Sequence, residues 1–248
     1  MSFKVDILTW DSEFFGFPVA KIAVPPEFSR DDLKSVLDGN ASEFSLIYVF
    51  QNGIGPDEIS GLAQPCLCFD RKVVFRKSLS SIRPAEKPPN VGEYRGTICS
   101  SELEQLAYLS GSYSRFKKDT RLEPFFEKLY QLWIQRSISG EIADVVLVDA
   151  DEDMTRGVVT VKKLPHSEGM IGLVAVGQNF QRRGIASNLL TACDIWCLEH
   201  GLSSLSVATQ QENKPACQTY EKNGYVLEEI HSIYHYWTKP LSTPRNRV

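Results

Sequence analysis

Apolar residues recur at two different spacings along the chain, so the pattern predicts both helices and strands. From Phe126 to Ile134 they recur every three or four residues, as on a helix with one apolar face. Short continuous apolar runs, such as 169–176, predict buried strands. The predicted strands are 3–8, 17–24, 44–50, 66–75, 94–99, 143–149, 157–162, 169–176 and 204–209, with strand-like segments continuing to 237. The predicted helices are 31–38, 56–62, 101–109, one opening at Pro124, 183–200 and 214–223, whereas 9–16 is interpreted as a loop.

This alternation predicts a mixed α/β protein (α+β, with a mixed sheet) in two parts. The segment 80–94 is rich in proline, serine and charged residues, a composition typical of a linker. We therefore predict a small α/β N-terminal domain over 1–80, a linker over 81–92 and a larger α/β domain over 93–240. Residues 241–248 are expected to form a flexible tail.

Charge and hydropathy narrow the class of protein. A net charge of −4 and a pI near 5.7 disfavour a nucleic-acid-binding protein, which would usually be basic. No apolar run approaches the roughly 20 residues that span a bilayer, and the first residues lack the features of a secretory signal. We therefore expect no membrane partner and a cytoplasmic location. The six cysteines lack zinc-site spacing and are expected to be free thiols.

The most distinctive stretch is LVAVGQNFQRRGIASNLL, residues 173–190, in which an apolar strand leads through a polar turn into an amphipathic helix. Arg182 and Arg183 are each unfavourable there by a few tenths to about 1 kcal/mol, because a helix N-terminus carries partial positive charge. A bound polyanion would remove this conflict, and Gly184 would let it approach the backbone closely. An ordinary strand–turn–helix with solvated arginines explains these residues equally well.

A second stretch, NKPACQTYEKNGYVLEE, follows a predicted strand. Asn213 suits a helix N-cap and Pro215 the first helical turn. Ala216 and Tyr220 are four residues apart and share one helical face. A well-formed short helix with a packed tyrosine accounts for this pattern without any chemistry.

In this order, the two stretches resemble the signatures of GNAT acetyltransferases. The first matches the motif Q/R-x-x-G-x-G/A at Gln181, Gly184 and Ala186, and the second matches N-x-x-A-x-x-x-Y-x-K-x-G-Y from Asn213. The resemblance implies a GNAT acyl-CoA N-acyltransferase fold and acetyl-coenzyme A as co-substrate. The donor-binding residues that it implies are Val174, Ala175, Val176, Gln181, Arg182, Arg183, Gly184, Ile185, Ala186, Ser187 and Asn213. One departure is Gln178, which replaces a proline frequent in the family.

The same resemblance implies a catalytic role for Tyr220. A phenol within hydrogen-bond reach can protonate the departing thiolate, and a backbone N–H of 174–176 can stabilise the thioester oxygen. No Asp or Glu lies within 172–176 or 204–209, and Glu168 is interpreted as an exposed carboxylate. Deprotonation of the attacking amine is therefore expected to proceed through water.

No metal is expected at the acidic turn. Asp149, Asp151 and Asp153 alternate as in an EF-hand loop. However, Met154 and Thr160 stand where that loop requires glycine and glutamate.

Two further stretches bear on the acceptor. Residues 8–22 and 113–148 resemble bacterial acetyltransferases that modify nucleotide-linked 4-amino-4,6-dideoxysugars for surface polysaccharide synthesis. The implied partner is a small-molecule nucleotide sugar, with Arg115, Phe116 and Phe15 as substrate-binding candidates, since arginine suits a diphosphate and aromatic rings can stack on a base or sugar.

Several alternatives remain open at this point. Arg115 beside a core Phe116 fits a solvated arginine equally well, and Phe15 fits a core position. Acetylation of another amine (a peptide N-terminus, an antibiotic or a polyamine) and non-catalytic coenzyme A binding are the alternative functions. Strands near the C-terminus could also pair across a homodimer.

Overall fold

Ten strands and seven α-helices occur in the part of the chain that the computed structural model describes, residues 3–25, 27–53, 59, 66–80, 86–151 and 154–239. The strands are β1 (Val5–Ile7), β2 (Val19–Val24), β3 (Leu46–Asn52), β4 (Cys66–Ser78), β5 (Val91–Glu93), β6 (Val145–Asp151), β7 (Met154–Leu164), β8 (Glu168–Val176), β9 (Ser204–Gln210) and β10 (Val226–Trp237). The helices are α1 (Thr9–Phe15), α2 (Arg30–Asn40), α3 (Ser101–Ser110), α4 (Arg115–Lys118), α5 (Phe126–Ile138), α6 (Ile185–Glu199) and α7 (Lys214–Lys222). Two 3-10 turns, Glu123–Phe125 and Gln178–Phe180, precede α5 and α6.

The chain divides into two compact units, of which the first comprises Met1–Lys72 and Glu229–Val248. Its strands follow the order β1-β2-β3-β10, with β2 and β3 parallel and the other two pairs antiparallel. Ile22, Ile47 and Tyr234 from these strands pack with Leu33 and Leu37 of α2 in a core of buried side chains. The apolar runs of β2 and β3 are therefore core strands, as their composition predicts.

The second unit comprises Val73–Glu228. Its strands follow the order β4-β9-β8-β7-β6-β5, in which β8 and β9 are parallel and the β5–β6, β6–β7 and β7–β8 pairs are antiparallel. Helix α6 covers β7: a Cβ added to Gly157 would lie 3.0 Å from Leu189 Cδ1 and 3.1 Å from Ile185 Cγ2. The first turn of α6 is thus anchored directly on the sheet.

The domain boundary predicted at 81–92 falls inside this second unit. Residues 81–85 lie outside the described residues, and 91–92 belong to β5. The predicted tail, 241–248, also lies outside them. The division into an N-terminal domain over 1–80 and a domain over 93–240 therefore stays a prediction.

Most predicted elements occur within a few residues of their expected bounds, but two predictions are wrong. Residues 9–16, interpreted as a loop, contain α1 over Thr9–Phe15, and the C-cap of this helix is Gly16, whose φ of +77° suits glycine. Residues 94–99 form no strand, because β5 ends at Glu93 and the Tyr94 hydroxyl donates to the Ile98 carbonyl, 2.7 Å away. The helix predicted over 56–62 lies largely outside the described residues.

The state of the cysteines and the apolar character of the helices both bear on expectations drawn from composition. All six cysteines are free thiols. Among the described residues, no helix has the length and apolar character needed to cross a membrane.

Candidate active site

Strand β8 loses its partner on one side partway along its length. Its parallel pairing with β9 runs from Glu168 opposite Ser204 to Ile171 opposite Val207. Its antiparallel pairing with β7 continues to Val176, which lies opposite Gly157. The last residues of β8 therefore keep β7 as a neighbour while their other edge is open.

The separation coincides with a β-bulge. Val161 lies opposite Ile171 and Val159 opposite Val174, so Thr160 alone faces both Gly172 and Leu173. The Leu173 N–H donates to Thr160 Oγ1 at 2.9 Å, and the Thr160 side chain is only 2% exposed. A Cβ on Gly172 would lie 2.9 Å from that oxygen, so this position favours glycine. A side-chain hydroxyl replaces the carbonyl that a regular ladder would supply.

We expect Thr160→Val to lower the free energy of unfolding by about 1–3 kcal/mol, because the nearly isosteric valine leaves the buried Leu173 N–H unsatisfied. Thr160→Ser keeps the hydroxyl and should be markedly less destabilising. Urea denaturation of both variants measures the difference. A valine variant as stable as the wild type would show that the bulge does not depend on this hydrogen bond.

The bulge sets the direction of the backbone groups in 174–176. The N–H groups of Leu173 and Gly177 point toward β7, donating to Thr160 Oγ1 and to the Arg156 carbonyl (2.8 Å). Since successive peptide groups of a strand alternate in direction, Val174 and Val176 direct their N–H and C=O groups to the open edge. Gln181 Nε2 donates to the Val176 carbonyl at 3.4 Å, which agrees with this direction.

The turn between β8 and α6 has unusual backbone angles. Arg182 and Gly184 have φ values of +62° and +81°, and the left-handed conformation costs a non-glycine residue roughly 1–2 kcal/mol. The Arg183 guanidinium lies 5.6 Å from the centre of the Phe180 ring. Both arginine side chains are exposed. The turn thus holds two exposed cationic groups beside the start of α6.

The first turn of α6 offers N–H groups to a ligand. Gly184 is its N-cap and supplies no side-chain hydrogen bond. The first intrahelical bond runs from the Asn188 N–H to the Gly184 carbonyl, 3.0 Å, so the N–H groups of Ile185, Ala186 and Ser187 precede it. Together with the helix dipole, these donors form an arrangement that binds phosphate groups in many proteins.

Asn213 begins α7 as the sequence predicts. Its Oδ1 accepts from the Ala216 N–H at 3.3 Å, and its Nδ2 donates to Thr209 Oγ1 at 3.2 Å. The residue therefore fixes the start of α7 against the end of β9. One amide hydrogen and one lone pair remain for a ligand.

Tyr220 lies on α7 and is only 3% exposed. Its ring centre is 5.7 Å from that of Phe75 and 5.9 Å from that of Tyr225. Burial raises the pKa of the Tyr220 hydroxyl well above its usual value, and the neighbouring thiols Cys217 and Cys193 contribute to the same direction. The phenol is therefore protonated throughout the physiological pH range and can act as a hydrogen donor.

The predicted acceptor residues lie in two places. Arg115 starts α4 and stacks its guanidinium on Phe116, 4.3 Å from the ring centre. Phe116 is 6% exposed and packs edge-to-face with Trp133 at 6.0 Å. Phe15, in the first unit, is 4% exposed and contacts Phe14 and Phe17. Burial of both phenylalanine rings favours the core alternative for them and leaves Arg115 as the better candidate.

Helix α4 lies close to the start of α7, where Lys118 forms an ion pair with Glu212. Glu212 immediately precedes Asn213, so the pair joins the segment carrying Arg115 to the turn that follows β9. An exposed ion pair of this kind adds little stability. The contact shows that a predicted acceptor segment lies near a predicted donor-binding residue.

The acidic residues considered in the sequence have structural partners. Glu168 forms an ion pair with Arg76 at 3.0 Å. Asp149 is buried and binds Arg156 Nε at 2.7 Å, while Asp151 binds the same guanidinium at 2.9 Å. Within the described ranges, which omit 152 and 153, no cluster of side chains suited to a metal ion occurs.

Two residues that the sequence did not single out contribute to this site. Thr160 supports the bulge of β8, and Asn223, at the end of α7, donates from Nδ2 to Ser187 Oγ at 3.0 Å. The bulge of β8 depends on the register between β7 and β8, so the sequence around Thr160 gives no indication of it. Asn223 stands inside the second signature at a position that the motif leaves unspecified, and an asparagine there is sufficiently explained by the C-terminus of a helix.

Comparison with known proteins identifies the class. Residues 107–225 match the family described as "Acetyltransferase (GNAT) family". A GCN5-related N-acetyltransferase from Sphaerobacter thermophilus superposes with a TM-score of 0.59 at 16% identity, over 95% of this chain and 76% of that one, which shows a shared fold. The chain therefore contains a GNAT acetyltransferase domain and is an acyltransferase. The predicted family and the predicted mixed α/β fold are confirmed.

Two relatives have names that specify the molecule they acetylate. The dTDP-fucosamine acetyltransferase of Escherichia coli O6:H1 is 29% identical over 233 residues, covering 91% of this chain and 94% of the relative. A streptothricin acetyltransferase of Escherichia coli is 31% identical over 67 residues, covering 27% of this chain and 38% of the relative. The first similarity extends through nearly the whole chain, whereas the second is confined to part of it.

Proposed function

We propose that this chain transfers an acetyl group from acetyl-coenzyme A to the amine of a nucleotide-linked amino-dideoxysugar. The GNAT family uses acetyl-coenzyme A. The observation that carries the choice of acceptor is the similarity to dTDP-fucosamine acetyltransferase over 91% of the chain. The alignment includes most of both units, so it is not explained by the donor-binding part alone.

The donor would bind along the open edge of β8 and at the start of α6. The N–H groups of Ile185, Ala186 and Ser187 would hold the pyrophosphate, and Arg182 and Arg183 would neutralise its charge. The pantetheine amides would pair with the outward backbone groups of Val174 and Val176. Asn213 would contribute its remaining donor or acceptor.

In the reaction, the neutral sugar amine would attack the thioester carbonyl, forming the C–N bond as the C–S bond breaks. An outward N–H of β8 would stabilise charge on the carbonyl oxygen. The amine proton would leave through water, because Glu168, the acidic residue at the start of β8, is paired with Arg76. Tyr220 would donate a proton or a strong hydrogen bond to the departing sulfur.

The acceptor diphosphate would be bound by Arg115. We expect Arg115→Ala to raise the KM for the nucleotide sugar about tenfold or more, because a bidentate contact to phosphate is lost, without a matching change in the KM for acetyl-coenzyme A. Arg115→Lys keeps the charge but loses the planar fork, so its KM should lie in between. Equal changes in both KM values would place Arg115 outside the acceptor site.

A second candidate is acetylation of another amine, which the partial similarity to streptothricin acetyltransferase favours. Release of free thiol from acetyl-coenzyme A can be compared for dTDP-4-amino-4,6-dideoxygalactose, streptothricin, spermidine and an N-terminal peptide. The proposal predicts turnover restricted to the nucleotide sugar. Donor binding without turnover of any acceptor would support the non-catalytic alternative.

A further inference from the structure

One side-chain hydrogen bond joins the two signatures directly. Asn223 caps the C-terminal end of α7, and its Nδ2 lies 3.0 Å from Ser187 Oγ in the first turn of α6. The same Nδ2 lies 2.8 Å from the Thr219 carbonyl oxygen. Both side chains are half-buried. The Ser187 side chain is therefore hydrogen-bonded to the helix that also carries Tyr220.

The direction of this hydrogen bond follows from the second contact. A carbonyl oxygen can only accept, so the Asn223 atom beside Thr219 must be the amide nitrogen and not Oδ1. Its two hydrogens go to the Thr219 carbonyl and to Ser187 Oγ. Ser187 consequently acts as an acceptor toward Asn223, and its own hydroxyl hydrogen is left to be donated elsewhere.

That hydrogen is available where the proposed donor site needs one. Ser187 is the third residue of α6, and its backbone N–H belongs to the same first turn as those of Ile185 and Ala186. A serine hydroxyl in the first turn of a helix can rotate about its C–O bond, and its hydrogen has no set direction unless a donor occupies one of the oxygen lone pairs. Asn223 supplies that partner from outside the helix.

We propose that Asn223 is a positioning residue that holds the Ser187 hydroxyl as a hydrogen-bond donor to the pyrophosphate of the acyl donor. This inference rests on the proposed function, since it requires an anion at the start of α6. It assigns a binding role to a residue at the far end of the second signature. Asn223 itself need not touch the ligand.

A double-mutant cycle tests the proposal. The dissociation constant for coenzyme A is measured for the wild type, Ser187→Ala, Asn223→Ala and the double variant. Each single change is expected to weaken binding about tenfold, as for one hydrogen bond to a charged group, and the double variant should bind no worse than Ser187→Ala. Losses that multiply, or an Asn223→Ala variant with wild-type affinity, would overturn it.

A second readout separates positioning from a general structural defect. Acetylpantetheine lacks the pyrophosphate, so Asn223→Ala should lower kcat/KM for acetyl-coenzyme A about tenfold while leaving kcat/KM for acetylpantetheine unchanged. Gln218→Ala removes an exposed amide from the same helix and should change neither value. Equal losses with both donors would mean that Asn223 only stabilises α7.

The outcomes for the two proposals can be told apart. If the wild-type chain binds no coenzyme A, the proposed function and this inference both fail. If the wild type binds coenzyme A but the cycle shows no coupling, only the positioning role of Asn223 fails. An Asn223→Asp variant adds a sharper contrast: its carboxylate cannot donate and would draw the Ser187 hydrogen away from the ligand, so binding should be weaker than in Asn223→Ala.

Discussion

Replacing Gly184 with glutamate is expected to abolish measurable binding of acetyl-coenzyme A while leaving the chain folded. A Cβ at Gly184 meets no atom within 4 Å, so the protein itself has room for a side chain. The added carboxylate would occupy the positive end of α6, where the proposed pyrophosphate binds. At about 4 Å, repulsion between two unit charges near a protein surface is about 4 kcal/mol, which predicts a loss of affinity of at least 100-fold.

Two control variants separate charge from backbone strain. Gly184→Ala and Gly184→Gln share the strain caused by a φ of +81°, about 1–2 kcal/mol, but add no charge. Both should therefore bind the donor considerably better than Gly184→Glu, and calorimetry measures all three. Wild-type affinity in the glutamate variant would refute an anion site at this helix end.

Tyr220→Phe is expected to lower kcat about 100-fold with little change in the dissociation constant for acetyl-coenzyme A. The ring is enclosed by Phe75 and Tyr225, so phenylalanine should keep the packing and remove only the hydroxyl. General acid catalysis typically contributes a factor of about 100 to 10,000. The lower value is expected here, because a phenol with a raised pKa is a weaker acid than a thiol of ordinary pKa, about 8.5.

The pH dependence of the wild type gives an independent check on Tyr220. The phenol must be protonated to donate, and it loses its proton only as the pH passes through its raised pKa. The rate of the wild type should therefore rise with pH as the acceptor amine is deprotonated. Below about pH 10, any decline in the wild-type rate should also occur in Tyr220→Phe, because the phenol is still protonated there. Unchanged kcat in the phenylalanine variant would exclude Tyr220 as the acid.

The fold was predictable where local pattern and tertiary structure agree. The strand, turn and helix of 173–190 occur as expected, because the apolar run and the amphipathic repeat each match one regular element. Helix α1 was missed because it is only seven residues long and part of its support comes from outside the helix. Ser12 Oγ donates to the Leu8 carbonyl at 2.7 Å and accepts from the Val19 N–H at 2.9 Å, and Trp10 stacks on Phe14. The i, i+4 spacing of Trp10 and Phe14 is itself typical of a helix, whereas the contact with Val19 has no counterpart in the spacing of apolar residues.

The candidate site was predictable only in outline. The order of the two signatures indicated a donor site around Gly184 and Tyr220. However, the one-sided pairing of β8 depends on which strand lies beside it, and the bulge depends on Thr160, which is twelve residues away from Gly172 in the sequence. The acceptor residues were the least predictable. A phenylalanine such as Phe15 or Phe116 looks the same in the sequence whether its ring stacks on a ligand or packs in the core.

The most direct test compares dTDP-4-amino-4,6-dideoxygalactose with the same amino sugar lacking its nucleotide, using kcat/KM for acetyl transfer and mass spectrometry of the product. We expect one thiol to be released for each nucleotide sugar that is N-acetylated. We also expect kcat/KM to be at least about 100-fold lower for the sugar without the nucleotide, since the contacts to the diphosphate are lost. Equal activity on both sugars, or turnover of streptothricin with no acetylation of the nucleotide sugar, would contradict the proposed acceptor.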